Sequence, residues 1–227
     1  MSDGRLANLL FTGSTAETTN AIKGANWTNG LSSPTYNSGF FKSSNSINVP
    51  ETIGDSGQQV RVNYTYTDRG CIALWFRLVG WSWTNTTASD AIALHGVLGS
   101  AQFNPYVRLT FQNGQGLQCD LRLDGGSNHR ITITNQSFGD GEWIHISHCW
   151  SVPESLQEIY INGVLTGSGT PTLTGTVTEK VVMIGRFTEN NTTNGLIGDI
   201  DGCRIYTEKI ADFKRRYDRY HGLGDVV

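Results

Sequence analysis

Hydrophobic and polar positions along this chain fall into short stretches, and the clearest of them is 141–165. From Trp143 to Trp150 aromatic and β-branched residues occupy both parities, as a strand packed on both faces requires, and Ser151 to Ser155 supplies turn residues. A return strand follows at Glu158 to Ile161. Asn162-Gly163, a pair that tolerates positive φ, then allows a tight reversal into Val164-Leu165. Elsewhere Gln59 to Thr67 alternates, with Val60, Val62, Tyr64 and Tyr66 on one face and Gln59, Arg61, Asn63 and Thr65 on the other. That is the pattern of a half-exposed strand. Cys71 to Val79 is almost continuously apolar and predicts a central strand covered on both sides.

Further strands are expected at Leu6 to Phe11, Ile47 to Val49, Ala91 to Leu94, Tyr106 to Phe111, Leu117 to Leu123, Arg130 to Thr134 and Val181 to Ile184. Phe40-Phe41 also reads as strand, and Pro50, which cannot donate to a ladder, ends the one before it. Asp124 to Asn128 reads as a hairpin joint, and the polar segment Thr12 to Ser38 reads mostly as loop. One helix is predicted, Thr207 to Tyr220, with Ile210, Phe213, Tyr217 and Tyr220 at spacings of three and four and four cations near its C-terminal end.

Composition narrows the class. Hydrophobic residues make up 37%, enough for a core, and 27 glycines with abundant Ser, Thr and Asn favour many strands and turns over helices. With a net charge of −3 and scattered Lys and Arg, the sequence offers no basic run for a phosphate backbone, so nucleic acid is not an expected partner. No apolar run approaches the roughly 20 residues that cross a bilayer, so membrane insertion is not expected either. Met1 to Arg5 has neither the basic start nor the apolar core of a signal peptide, which suggests a mature chain or one made without secretion. Asn-x-Ser/Thr triplets begin at Asn26, Asn63, Asn85, Asn135, Asn190 and Asn191, and chance accounts for them in a chain this rich in Ser, Thr and Asn.

The Trp-x-His strand, its turn and the Ile-Tyr-Ile-Asn-Gly-Val return resemble the laminin-G-like, concanavalin-A-like jelly rolls, the group that includes pentraxins and many lectins. Phe41 to Pro50, Cys71 to Phe76, Met183 to Arg186 and Gly195 to Tyr206 resemble further strands of that family in the same order. The resemblance implies an all-β fold, an antiparallel two-sheet jelly-roll sandwich. We expect a single domain over 1–227 with the helix at about 207–220 packed outside it. It also implies a disulfide. Pentraxin cysteines align with Ala73 and Ser147, and in this chain the cysteines stand two residues away in opposite directions, at Cys71 and Cys149. In an antiparallel pair that shift keeps register and face, so Cys71 and Cys149 should oppose one another. The compartment sets whether they are oxidised, and the missing export signal favours thiols. No Cys-x-x-Cys spacing suggests zinc; Cys119 reads as a core thiol and Cys203 has no evident partner.

Retaining glucanases of this superfamily carry Glu-x-Asp-x-x-Glu on one strand, placing two carboxylates about 5 Å apart. This sequence has no such cluster, so we expect no catalytic residues and no enzyme activity. His145 and His148 lie on opposite parities and read as packed or hydrogen-bonded side chains. Calcium is the cofactor the resemblance allows. Arg186 and Phe187 stand where the pentraxin double site would need acidic residues, leaving a single ion held by Asp90, Asp124, Asp140 or Glu189 as the metal site to test. For ligand binding the candidates are Trp81, Trp83 and Asn85 with Asn128 and His129, since tryptophan offers a flat face to a sugar ring and amides bond its hydroxyls.

Two functions follow as expectations. One is a non-enzymatic structural or adhesive module of a virion, such as a capsid decoration, head-fibre or tail-adhesin protein, bound to other protein subunits and to surface glycans. The other is an extracellular carbohydrate-binding lectin that uses calcium. A glycoside hydrolase is the remote third. A symmetric homo-oligomer suits either of the first two.

Overall fold

The computed structural model describes residues 5–9, 27–29, 35–38, 45–49, 60–65, 68–78, 92–98, 106–112, 116–122, 128–134, 136, 138–172, 179–184 and 198–206. Among these, regular structure is all strand: β1 Arg5–Leu9, β2 Trp27–Asn29, β3 Thr35–Ser38, β4 Asn45–Val49, β5 Val60–Thr65, β6 Arg69–Leu78, β7 Ile92–Leu98, β8 Tyr106–Gln112, β9 Gly116–Arg122, β10 His129–Ile133, β11 Ile144–Ser151, β12 Leu156–Ile161, β13 Val164–Gly169, β14 Glu179–Ile184 and β15 Gly198–Tyr206. The helix expected at 207–220 and the strand expected at Phe40-Phe41 lie outside the described residues. Within the segment read mostly as loop, Trp27–Asn29 and Thr35–Ser38 form β2 and β3. Both are short and lie in a polar stretch, and they pair with β5 and β4 through Trp27, Thr28, Thr35 and Tyr36, residue types that favour strands.

Two antiparallel sheets result. The first runs β13-β12-β11-β6-β15-β4-β3, with β1 also paired to β15, and the second runs β10-β9-β8-β7-β14-β5-β2. Register explains the layers. In the first sheet Ile146 opposes Leu74 and Ile161, and His148 opposes Ile72 and Ile159, so these residues share one face. In the second, Leu117, Cys119 and Leu121 oppose Ile133, Ile131 and His129. These two faces meet, and Ile72, Leu74, Phe76, Ile146, Trp150 and Leu117 are among the most buried side chains.

The mixed polarity of the Trp143–Trp150 stretch has a physical reason. β11 is buried at every position, so its second face, carrying His145, Ser147, Cys149 and Ser151, is covered as well. The turn after β12 uses φ of 49° at Asn162 and 78° at Gly163, and Asn162 Oδ1 accepts a 2.9 Å bond from the His145 amide, tying the turn to β11. At the other end of the sheet, β13 lies close to β10. A Cβ at Gly167 would stand 3.0 Å from Ile131, and one at Gly169 would press on the His129 ring, so glycine is what lets the two edge strands approach.

Candidate ligand-binding surface

The alternation of β9 divides its side chains between the core and the opposite, outward face of the second sheet. Leu117, Cys119 and Leu121 point inward, which puts Gln118, Asp120 and Arg122 on the second face, where Gln118 and Asp120 are buried as well and Arg122 is partly exposed. On that face Asp120 is fully buried and held from the neighbouring strand. Arg130 Nε donates to Asp120 Oδ1 at 2.6 Å and Nη2 to Oδ2 at 3.2 Å, while Asn128 Nδ2 donates to Oδ1 at 3.1 Å. The Arg130 side chain stays 37% exposed, and Asn128 and Thr132 are exposed beside it. The result is a polar shelf at the β9–β10 edge whose donors are fixed by a carboxylate beneath them. Such a surface suits hydrogen bonding to hydroxyls and anions.

Asn128 and His129, expected to act together, separate onto opposite faces. His129 turns into the sandwich, where its Nδ1 lies 2.7 Å from Gln157 Oε1. Gln157 Nε2 reaches the Cys119 carbonyl at 3.1 Å and His148 Nε2 at 2.8 Å. A carbonyl only accepts, so the amide nitrogen donates to both, His148 Nε2 accepts, and His129 Nδ1–H donates to Gln157 Oε1. Gln157 therefore bridges the two sheets. Burial pushes the His148 imidazole down to about 3, so it is neutral in its acceptor role. His129 belongs to this bridge, and the side chain that joins Asn128 on the shelf is Arg130. Asp120 was not anticipated from sequence, although the parity that made Cys119 a core residue also places its neighbour outward.

Trp81, Trp83, Asn85, Asp90, Asp124 and Glu189 lie outside the described residues. Asp140 is exposed in the turn before β11, beside Glu142, whose Oε2 accepts from the Gly139 amide at 2.8 Å. Among the described residues no three His, Cys, Asp or Glu side chains converge to hold a metal ion.

The opposite face of the first sheet is a buried polar and aromatic layer. His145 packs on Trp75 with ring centroids 4.9 Å apart, and Arg77 reaches the buried Asp199 at 2.6 Å while lying 5.0 Å over the Trp143 ring. Cys71 opposes Cys149 in register, with Cα atoms 4.0 Å apart, and the two form a disulfide where sequence favoured thiols. Ala73 and Tyr206 enclose it, with Tyr160 packed alongside. The Tyr160 hydroxyl donates to Glu158 at 2.9 Å, and burial together with this carboxylate raises it to about 12. Cys119 and Cys203 are buried free thiols, both pushed up by burial, Cys119 also by the adjacent Asp120 charge.

Residues 51–212 match the Laminin_G_3 family, described as concanavalin A-like lectin/glucanases superfamily. No curated protein matches the sequence. Among solved structures, the receptor binding domain of botulinum neurotoxin D superposes with a TM-score of 0.72 at 14% identity, over 97% of this chain and 53% of that one. The binding domain of Paraclostridial Mosquitocidal Protein 1 gives 0.69 at 15% identity, over 96% and 52%. The botulinum neurotoxin serotype D ligand binding domain in complex with N-acetylneuraminic acid gives 0.71 at 13%, over 96% and 51%. This chain thus spans about half the length of the structures it resembles, and at these identities the likeness is one of fold.

Proposed function

This chain belongs to the concanavalin A-like lectin/glucanases superfamily, and from that premise we propose that it is a non-enzymatic binding module that recognises surface glycans. The observation that carries the reading is the shelf at the β9–β10 edge, where buried Asp120 fixes the exposed donors of Arg130 and Asn128. Preformed donors lose little freedom on meeting a sugar, so a small contact yields useful affinity. The solved structures of like fold support it, being receptor and ligand binding domains, one of them holding N-acetylneuraminic acid.

A single shallow sugar contact is weak, and repetition multiplies it. The setting we propose is therefore an adhesive module displayed in many copies, on a virion as a decoration, head-fibre or tail-adhesin protein, or as a homo-oligomeric extracellular lectin. A glycan array probed with the purified protein, in calcium and again in chelator, tests the reading. Specific binding that survives chelation is the expected result. Loss in chelator would transfer recognition to a calcium site, and a blank in both conditions would leave a structural protein whose partner is another protein.

A further inference from the structure

Gln157 is fully buried between the sheets, and both of its polar atoms are engaged. Nε2 reaches the Cys119 carbonyl at 3.1 Å and His148 Nε2 at 2.8 Å, while Oε1 lies 2.7 Å from His129 Nδ1. The surroundings in the first sheet are apolar, with His148 standing opposite Ile72 and Ile159. An amide in such a place is costly unless its bonds are made. Because the Cys119 carbonyl only accepts, turning the amide over would break that bond and reverse the other two. The bridge therefore holds one arrangement.

What the bridge grips is the frame of the shelf. The Cys119 carbonyl belongs to the peptide that leads into Asp120, and His129 stands between Asn128 and Arg130. From the core side of the sheet, Gln157 thus holds a chain neighbour of each of the three shelf residues. β10 depends on such a hold, because it ends its sheet and, among the described residues, pairs with β9 alone. The first sheet also makes room for the His129 ring. Gly169 pairs with Gln157, and a Cβ at Gly169 would lie 2.5 Å from His129 Cε1.

The geometry points to Gln157 and His129 as positioning residues that set Asn128 and Arg130 over Asp120 for ligand binding; the inference rests on the glycan-binding reading above. Gln157→Leu removes the bridge, and Gly169→Ala, which crowds His129 and keeps Gln157, carries the test where Gln157→Leu fails to fold. Ile159→Val trims the same core face of β12 without touching the bridge and is the control. Side-chain NMR of the ligand-free chain reads the Arg130 Nε–H and the Asn128 amide, both held by Asp120. Their protons should shift and exchange faster with water in Gly169→Ala and in folded Gln157→Leu, and stay as in wild type in Ile159→Val. Affinity for N-acetylneuraminyl-lactose should fall about two- to tenfold in the first two, as for one misplaced hydrogen bond, and hold in the control. Unmoved Arg130 and Asn128 signals in Gly169→Ala, or equal movement in Ile159→Val, would overturn the positioning role whether or not the sugar binds. Signals that move while affinity holds would overturn the role in binding and place the sugar elsewhere. A wild type blank on the glycan array would overturn the glycan reading alone, with the ligand-free signals still deciding the positioning.

Discussion

β11 and β10 are both strands of one sandwich, yet β11 is buried at all of its positions while β10 exposes Arg130 and Thr132 between buried Ile131 and Ile133. The difference separates scaffold from surface. Where both faces are covered, polar residues such as His145, Ser147 and His148 serve packing and internal hydrogen bonds. Where one face is open, the same residue types become available to a ligand, and a buried partner such as Asp120 serves to hold them in place.

Truncation should break this contrast most clearly. Trp150→Ala in β11 should cost about 3–5 kcal/mol in denaturant unfolding, because a fully buried ring leaves a cavity that its neighbours only partly fill. Removing the disulfide with Cys71→Ala and Cys149→Ala should cost about 2–5 kcal/mol, measured against wild type under non-reducing conditions.

On the open side, Arg130→Ala should cost about 1–2 kcal/mol, since it strips two hydrogen bonds from buried Asp120 but removes a partly exposed group. Thr132→Ala, on the same exposed face, should stay within about 0.5 kcal/mol. A loss for Thr132→Ala as large as that for Trp150→Ala would mean that the face is not open.

The inter-sheet bridge sharpens the comparison through pH. His148 is held neutral in the fold, down to about 3, whereas an unfolded histidine takes up its proton near 6.5. The unfolded state therefore binds more protons between those values, and stability should fall as pH drops through that window, with a slope reaching about 1.4 kcal/mol per pH unit. Unfolding free energies measured from pH 7 to 4 in wild type and His148→Gln check this, the variant giving the shallower slope.

Much of the scaffold was legible in the sequence. The apolar run of β6, the mixed parity of β11 and the Asn162-Gly163 reversal each follow from local pattern, and the family resemblance supplied the Cys71–Cys149 register. The short strands β2 and β3 were not legible, because three or four residues set among Asn, Ser, Gly and Thr give no alternating pattern and their pairing is with distant partners. The shelf was half legible. Asn128 was a candidate on sequence grounds, but its bond to Asp120 depends on a strand pairing that no local pattern declares. Trp81, Trp83 and Asn85 remain candidates on sequence grounds, outside the described residues.

The most direct test of the central claim is a titration of the isotope-labelled chain with N-acetylneuraminyl-lactose, followed by backbone amide resonances. The account predicts perturbations along residues 118–122 and 128–132, with the amides of β6 and β11 unmoved. Shifts confined to β6 and β11, or spectra unchanged at saturating sugar, would contradict it.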